Sequence, residues 1–131
     1  MKLESLVPNT IAAPFARYSH GVVVDTQKKM VFTSGQLALG RDGEIPEGAR
    51  AQAELCFRNI DEILKEAHTS SAHVVKINAF VSAREHMSGY MAARDAWLAK
   101  TDNLPASTLM IVTGFTRPEF VVEVEAIAMV P

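Results

Sequence analysis

The chain has a single cysteine, Cys56, no apolar run of membrane-spanning length and no excess of basic residues. A lone cysteine excludes an intrachain disulfide. A bilayer-crossing helix needs about 20 consecutive apolar residues, and the opening MKLESLVPNTIAAPFA is broken by Glu4, Pro8 and Asn9. Neither a signal peptide nor a membrane partner is therefore expected, and the default compartment is the cytoplasm. A formal net charge of -2 offers nothing to draw the chain onto a phosphate backbone, so nucleic acid is not an expected partner. The four histidines, His20, His68, His73 and His86, fall in no metal-ligand spacing, and CxxC, HExxH, Walker A and GxGxxG are all absent. No metal and no cofactor are expected.

What is present is an ordinary globular composition, 131 residues with 48% hydrophobic and 21% charged. One domain over residues 1–131 accounts for it, and a chain of this size buries roughly two-thirds of its unfolded surface. GVVVDTQKKMVFTSGQLAL, residues 21–39, reads as a hairpin, two β-rich runs parted by the polar segment Asp25 to Lys29. Ala53, Cys56, Phe57, Ile60, Ile63, Leu64 and Ala67 make the apolar stripe of a helix over about 49–67. HVVKINAFVS is a strand, and Ser82 with Glu85 has the spacing of a capping box for a second helix. That helix carries Met87, Tyr90, Met91, Trp97 and Leu98, with Arg94 contributing its alkyl stem. Pro105 opens the strand ASTLMIV, and a Gly and Pro turn leads to a final strand from Phe120.

The order β-β-α-β-α-β-β is that of an α/β sandwich. Two helices, each roughly 10 Å wide, cover only one face of five strands spaced about 4.8 Å apart. INAFV and LMIV are apolar at consecutive positions, so the second face is expected to be buried by another copy of the chain.

In the final strand, FVVEVEAIAMV, period-2 alternation puts Val122, Val124, Ala126 and Ala128 on one face and Glu123, Glu125, Ile127 and Met129 on the other. The small aliphatic face suits close packing under helices. The acidic face is left for an intersubunit cleft, where a carboxylate can orient water or move a proton, or can pair with an interface Arg or Lys. FTSGQ ends a strand with Ser34 and Gly35, and a glycine there allows close approach of a backbone N–H to a ligand, or simply a bend. Ser34 has no His and acid partners in a recognisable arrangement that would make it a nucleophile. Cys56 lies on the first helix's stripe as a core thiol.

Taken together, YSHGV, VFTSGQ, the first-helix pattern, VVKINAFV, LPAS and VVEVEAIA resemble the RidA (YjgF/UK114) family in order and spacing from about Tyr18 onward. The resemblance implies a chorismate-mutase-like α+β fold, a mixed sheet with two helices on one face, assembled as a homotrimer with small-molecule sites in the clefts between subunits. It implies cofactor-free hydrolysis of enamine and imine intermediates such as 2-aminoacrylate to a keto acid and ammonia. By motif, Tyr18 and Ser34 line the cleft, Gly35 offers a backbone N–H, Glu123 positions the attacking water and Glu125 is structural.

The departures from that pattern concern substrate binding. Where the deaminases follow the PA pair with an arginine that grips the substrate carboxylate, this chain has Ser107, and where they commonly have cysteine it has Leu109. Each charge-assisted hydrogen bond to a carboxylate is worth about 1.5 to 3 kcal/mol, so the loss weakens capture of a small imino acid by tenfold to several-hundredfold. An arginine-lacking subgroup of the family, not an efficient 2-aminoacrylate deaminase, is the expectation. Arg17 and His20, which stand where deaminases usually have proline and glutamine, are candidates to anchor a different anion. The readings in contention are a hydrolase of a small C=N compound, a 2-aminomuconate-type deaminase being one case, and a non-catalytic trimeric binding or regulatory protein. An endoribonuclease-type translation inhibitor is a third, which the charge does not favour.

Overall fold

In the computed structural model, which describes residues 3–131, seven strands and two α-helices follow one another in the order β1 (Glu4–Leu6), β2 (Gly21–Val23), β3 (Lys29–Phe32), β4 (Gln36–Leu37), α1 (Ala49–Glu66), β5 (Val74–Val81), α2 (Met87–Trp97), β6 (Ala106–Ile111) and β7 (Val122–Val130). Met1 and Lys2, which begin the opening stretch and the expected domain, lie outside the described residues. The main sheet runs β3-β7-β5-β6, with β4 also on β7. It is mixed: β5 and β6 are parallel, joined through α2, while β7 is antiparallel to β3, β4 and β5. The expected α+β architecture, a mixed sheet with two helices, is the one observed.

The alternation in β7 has the predicted consequence. Val122, Val124, Ala126 and Ala128 are buried with Ile77, Ala79 and Val81 of β5 beneath Ala53, Cys56, Phe57, Ile60 and Leu64 of α1 and Tyr90 and Ala93 of α2. Each fully buried aliphatic side chain there contributes roughly 1.5 to 3 kcal/mol. Phe57 stacks on Trp97 at 4.5 Å and on Tyr90 at 6.0 Å, locking the helices together. Their closest approach requires Gly89, where a Cβ would sit 2.9 Å from the Arg50 backbone nitrogen. Gln52, on the same face of α1, donates to the carbonyls of Pro46 (3.0 Å) and Glu119 (2.8 Å) and accepts from the Val121 amide (2.9 Å). One buried amide thus ties the helix to the approach of β7.

Three expectations change. The polar segment after β2 does turn, with the Lys28 amide bonded to the Asp25 carbonyl, but its two strands part: β2 pairs with β1, and β3 with β7. β7 is the longer partner, and Val22 and Val24 are drawn instead onto the second face of the sheet. There, with Leu3, they cover Met129, Val75 and Ile127, so the chain itself shields one end of the face that was expected to be bare. A three-residue strand such as Glu4–Leu6 is too short to carry a legible period. Finally, Ser82 and Glu85 form no capping box. A 3-10 turn at Arg84–His86 leads into α2 without a side-chain cap, and the Ser82 amide is already bonded to the Val121 carbonyl.

The rest of the second face stays open. Phe32 is 67% exposed, Met110 48% and Met30 40%, a set of large apolar side chains on one side of a sheet.

Candidate functional site

The sheet register divides the candidate residues into two groups. Glu123 of β7 stands opposite Phe80 of β5, which stands beside Met110 of β6; Glu125, Asn78 and Thr108 form the next such row. These rows share the open face. Ser107 aligns with Ile77 and Leu109 with Ala79, both fully buried in the core beneath the helices, so Ser107 and Leu109 belong to the helix-covered face. Within one chain, Glu123 and Ser107 therefore point to opposite sides of the sheet.

Around Glu123 the geometry is set by a bulge. Phe32 opposes Ile127 whereas Gln36 opposes Val124, four residues on one strand against three on the other. Thr33 fills the irregularity, its amide bonded to the Ala126 carbonyl and its hydroxyl accepting from the Ala126 amide. The bulge brings Gly35 against the Glu123 side chain so closely that a Cβ at Gly35 would lie 2.7 Å from the carboxyl carbon and 2.8 Å from Oε2. Only glycine fits. Ser34 beside it is exposed, its carbonyl accepting from Gln36 Nε2. Partial burial, with Glu125 next to it, raises the Glu123 pKa above its ordinary value, which suits a carboxyl group that must take and return protons.

The second group is built by α2, β6 and the segment before β2. Ser19 bridges to Ala106 in parallel and its amide donates to the Pro105 carbonyl, laying residues 16–20 along the free edge of β6. Tyr18 is thereby brought to Ser107 and Leu109, and with Met91, Arg94 and Thr108 they line a cavity of about 290 Å³. Phe15, 91% exposed, stands at the same cavity with its ring edge-on to Tyr18.

Arg17 and His20 do not line this cavity. The Arg17 guanidinium donates to the carbonyls of Leu98 (3.0 Å) and Thr101 (3.5 Å), just beyond α2, and His20 Nε2 lies 2.8 Å from the Ala12 carbonyl. The arginine that does reach the cavity is Arg94, which is 3% exposed. On sequence alone it reads as a packing stem, because an arginine on an apolar stripe ordinarily keeps its charge in water. Cys56 is buried, and loss of solvent pushes its thiol pKa to about 12, with Glu123 adding to the shift, so it is no nucleophile at neutral pH. Among the described residues no cluster of His, Cys, Asp and Glu could hold a metal ion, and no helix is long and apolar enough to cross a membrane.

The sequence profile of the family described as Endoribonuclease L-PSP matches residues 9–130. A Lactococcus lactis protein provisionally named regulator AldR is 32% identical over 125 residues, covering 92% of this chain and 94% of that one. Among solved structures, a Yersinia pestis protein of the Rid family, YyfB, described as of unknown function, superimposes with a TM-score of 0.83 at 23% identity, covering 98% of this chain and 99% of that one. The structure of E. coli TdcF with bound serine has a TM-score of 0.72 at 25% identity, with 98% of each chain covered.

Proposed function

This chain belongs to the Endoribonuclease L-PSP (RidA/YjgF) family, and from that premise we propose that it hydrolyses a small enamine- or imine-type C=N compound. The observation that carries the reading is the Gly35 backbone held against the Glu123 carboxyl. Glu123 takes a proton from water as its oxygen adds to the C=N carbon, and returns it to nitrogen to give a carbinolamine. Glu123 then carries the hydroxyl proton to the amine as the C=O bond forms and the C–N bond breaks, and ammonia and a carbonyl compound leave. The Gly35 N–H is the backbone donor that polarises the ligand, and burial, with Glu125 beside it, raises the affinity of Glu123 for the proton it takes up.

Because Glu123 and Ser107 occupy opposite faces, the working cleft is one that a second copy of the chain completes, in the homotrimer its family resemblance implies. The exposed Phe32, Met30 and Met110 supply apolar contact for that assembly. With Ser107 in place of arginine, β6 offers no fork to a small imino acid, and 2-aminoacrylate is not an efficient substrate. The serine bound to a relative, TdcF, supports an amino-acid-like ligand.

Purified protein offered a panel of imines generated in situ should release ammonia, and Glu123→Gln should slow that release by about 100- to 10,000-fold, the usual contribution of a positioned proton-transfer group. Gly35→Ala, which displaces the carboxyl group, should cost about 100-fold. An unchanged rate in Glu123→Gln sinks the hydrolase. The second reading, a regulatory protein that binds the ligand without turning it over, is favoured by the regulator name of the Lactococcus relative. Saturable binding with no ammonia from any member of the panel would select it.

A further inference from the structure

Arg94 has an environment that packing alone does not explain. Its side chain is 4% exposed, and the bonds it makes are both to one oxygen: Nε and Nη2 each reach Asp95 Oδ1 at 3.2 Å. Asp95 itself is about half exposed, at 47%. A guanidinium has five N–H donors arranged to grip two oxygens in parallel, so a single shared acceptor at the rim leaves most of that capacity unused. Its contact with the Tyr90 ring, 5.8 Å from the centroid, engages the π-face and not the donors. Beside it, the Tyr90 hydroxyl is buried with no hydrogen-bond partner, although Ser107 and Arg94 are close enough to influence its proton. The Tyr90 hydroxyl is thus a buried donor without an acceptor, and Arg94 beside it lines, with Ser107 and Tyr18, a cavity of about 290 Å³.

We propose that Arg94 is the anion anchor of this protein: a carboxylate-bearing ligand enters the cavity between α2 and β6 and is held by the Arg94 guanidinium and the Ser107 hydroxyl. The proposal rests on the reading of this chain as a small-molecule protein and names its ligand class. An arginine at position 107 would enter the cavity from the strand side and narrow it. Serine leaves that volume open, and the cationic group comes from the helix behind it. The Ser107 hydroxyl can accept the Tyr90 proton while donating its own to the anion, so the orphaned Tyr90 becomes a positioning residue. A ligand held this far in must carry its carboxylate on a chain longer than that of a three-carbon imino acid if its C=N group is still to reach the cleft. Asp95 is the acidic side chain bonded to the guanidinium, and its half-exposed carboxylate can turn to water when the ligand arrives.

The test is calorimetric titration of the full chain with 2-oxohexanoate and with its neutral amide, 2-oxohexanamide. Wild type should bind the acid at least about tenfold more tightly than the amide, one charge-assisted bond's worth. Arg94→Met should erase that preference by weakening the acid far more than the amide, and adding Ser107→Arg to Arg94→Met should restore it from the strand side. Tyr90→Phe, which removes an unpartnered buried hydroxyl, should raise the thermal midpoint of the free protein yet weaken acid binding severalfold, a pair of signs that a purely structural tyrosine does not give. An acid preference that survives in Arg94→Met, or that is lost in Arg17→Ala instead, overturns the proposal and leaves the small-molecule reading standing. Wild type that binds neither compound overturns both.

Discussion

The two faces of the main sheet are made by the same strands and have been put to different use. Beneath α1 and α2, Ile77, Val124, Ala126 and Ala128 are sealed, and the polar groups admitted there are either fully bonded, as Gln52 is, or gathered at the Arg94 cavity. On the other face, Glu123 and Glu125 sit among apolar neighbours that the chain only partly covers, Phe32 and Met110 remaining exposed. A face closed within the chain can be optimised for stability by that chain alone. A face left open keeps its carboxylates near water and its large apolar side chains exposed.

The contrast can be broken most sharply at its two extremes. Ile77→Ala, in the sealed face, should destabilise the fold by roughly 2 to 5 kcal/mol, read from urea denaturation. Phe32→Ser, on the open face, should leave a folded chain with an unchanged far-ultraviolet spectrum while shifting sedimentation toward the monomer. Equal loss of folding in both variants would mean that the faces do not differ as described. A smaller effect is expected at Gln52. Gln52→Ala strands the Val121 amide and two carbonyls and should cost roughly 1 to 3 kcal/mol, with the oligomeric state unaltered.

The smallest effect is a pH dependence. Burial and the adjoining Glu125 raise the Glu123 pKa above its ordinary 4.5, so the folded chain holds this proton more tightly than the unfolded one. The stability it contributes is complete below the ordinary value and is lost as pH rises through the raised value. Glu123→Gln should flatten that decline in a series of denaturation curves collected across this window. On the proposed hydrolysis, the same upward shift should place the acid limb of the ammonia-release profile above that of a free carboxylate.

Much of this was legible before the fold. The stripe of α1, the run Val74–Val81 and the alternation in β7 are long enough for burial to impose a period, and each became the element it predicted. The ribbon of β1 and β2, the bulge at Thr33 and the 3-10 entry to α2 were not legible, because each is only a few residues long and is decided by a distant partner: Val22 by Val75, Thr33 by Ala126, Ser82 by Val121. The site divides in the same way. Glu123 stood out because a carboxylate in an apolar strand is costly and invites explanation. Arg94 did not, since an arginine on a helix stripe is ordinarily a stem with its charge in water.

Family, element order and the residue types available for chemistry follow from the chain alone, since hydrophobic period and motif spacing are properties of neighbours along it. Which of those residues meet depends on how the elements pack. Strand register assigned Ser107 and Glu123 to opposite faces, a bulge pressed Gly35 onto Glu123, and the placing of α2 beside β6 carried Arg94 to the cavity that Ser107 lines. Those are contacts between residues far apart in sequence, fixed by burial and hydrogen bonding across the whole fold.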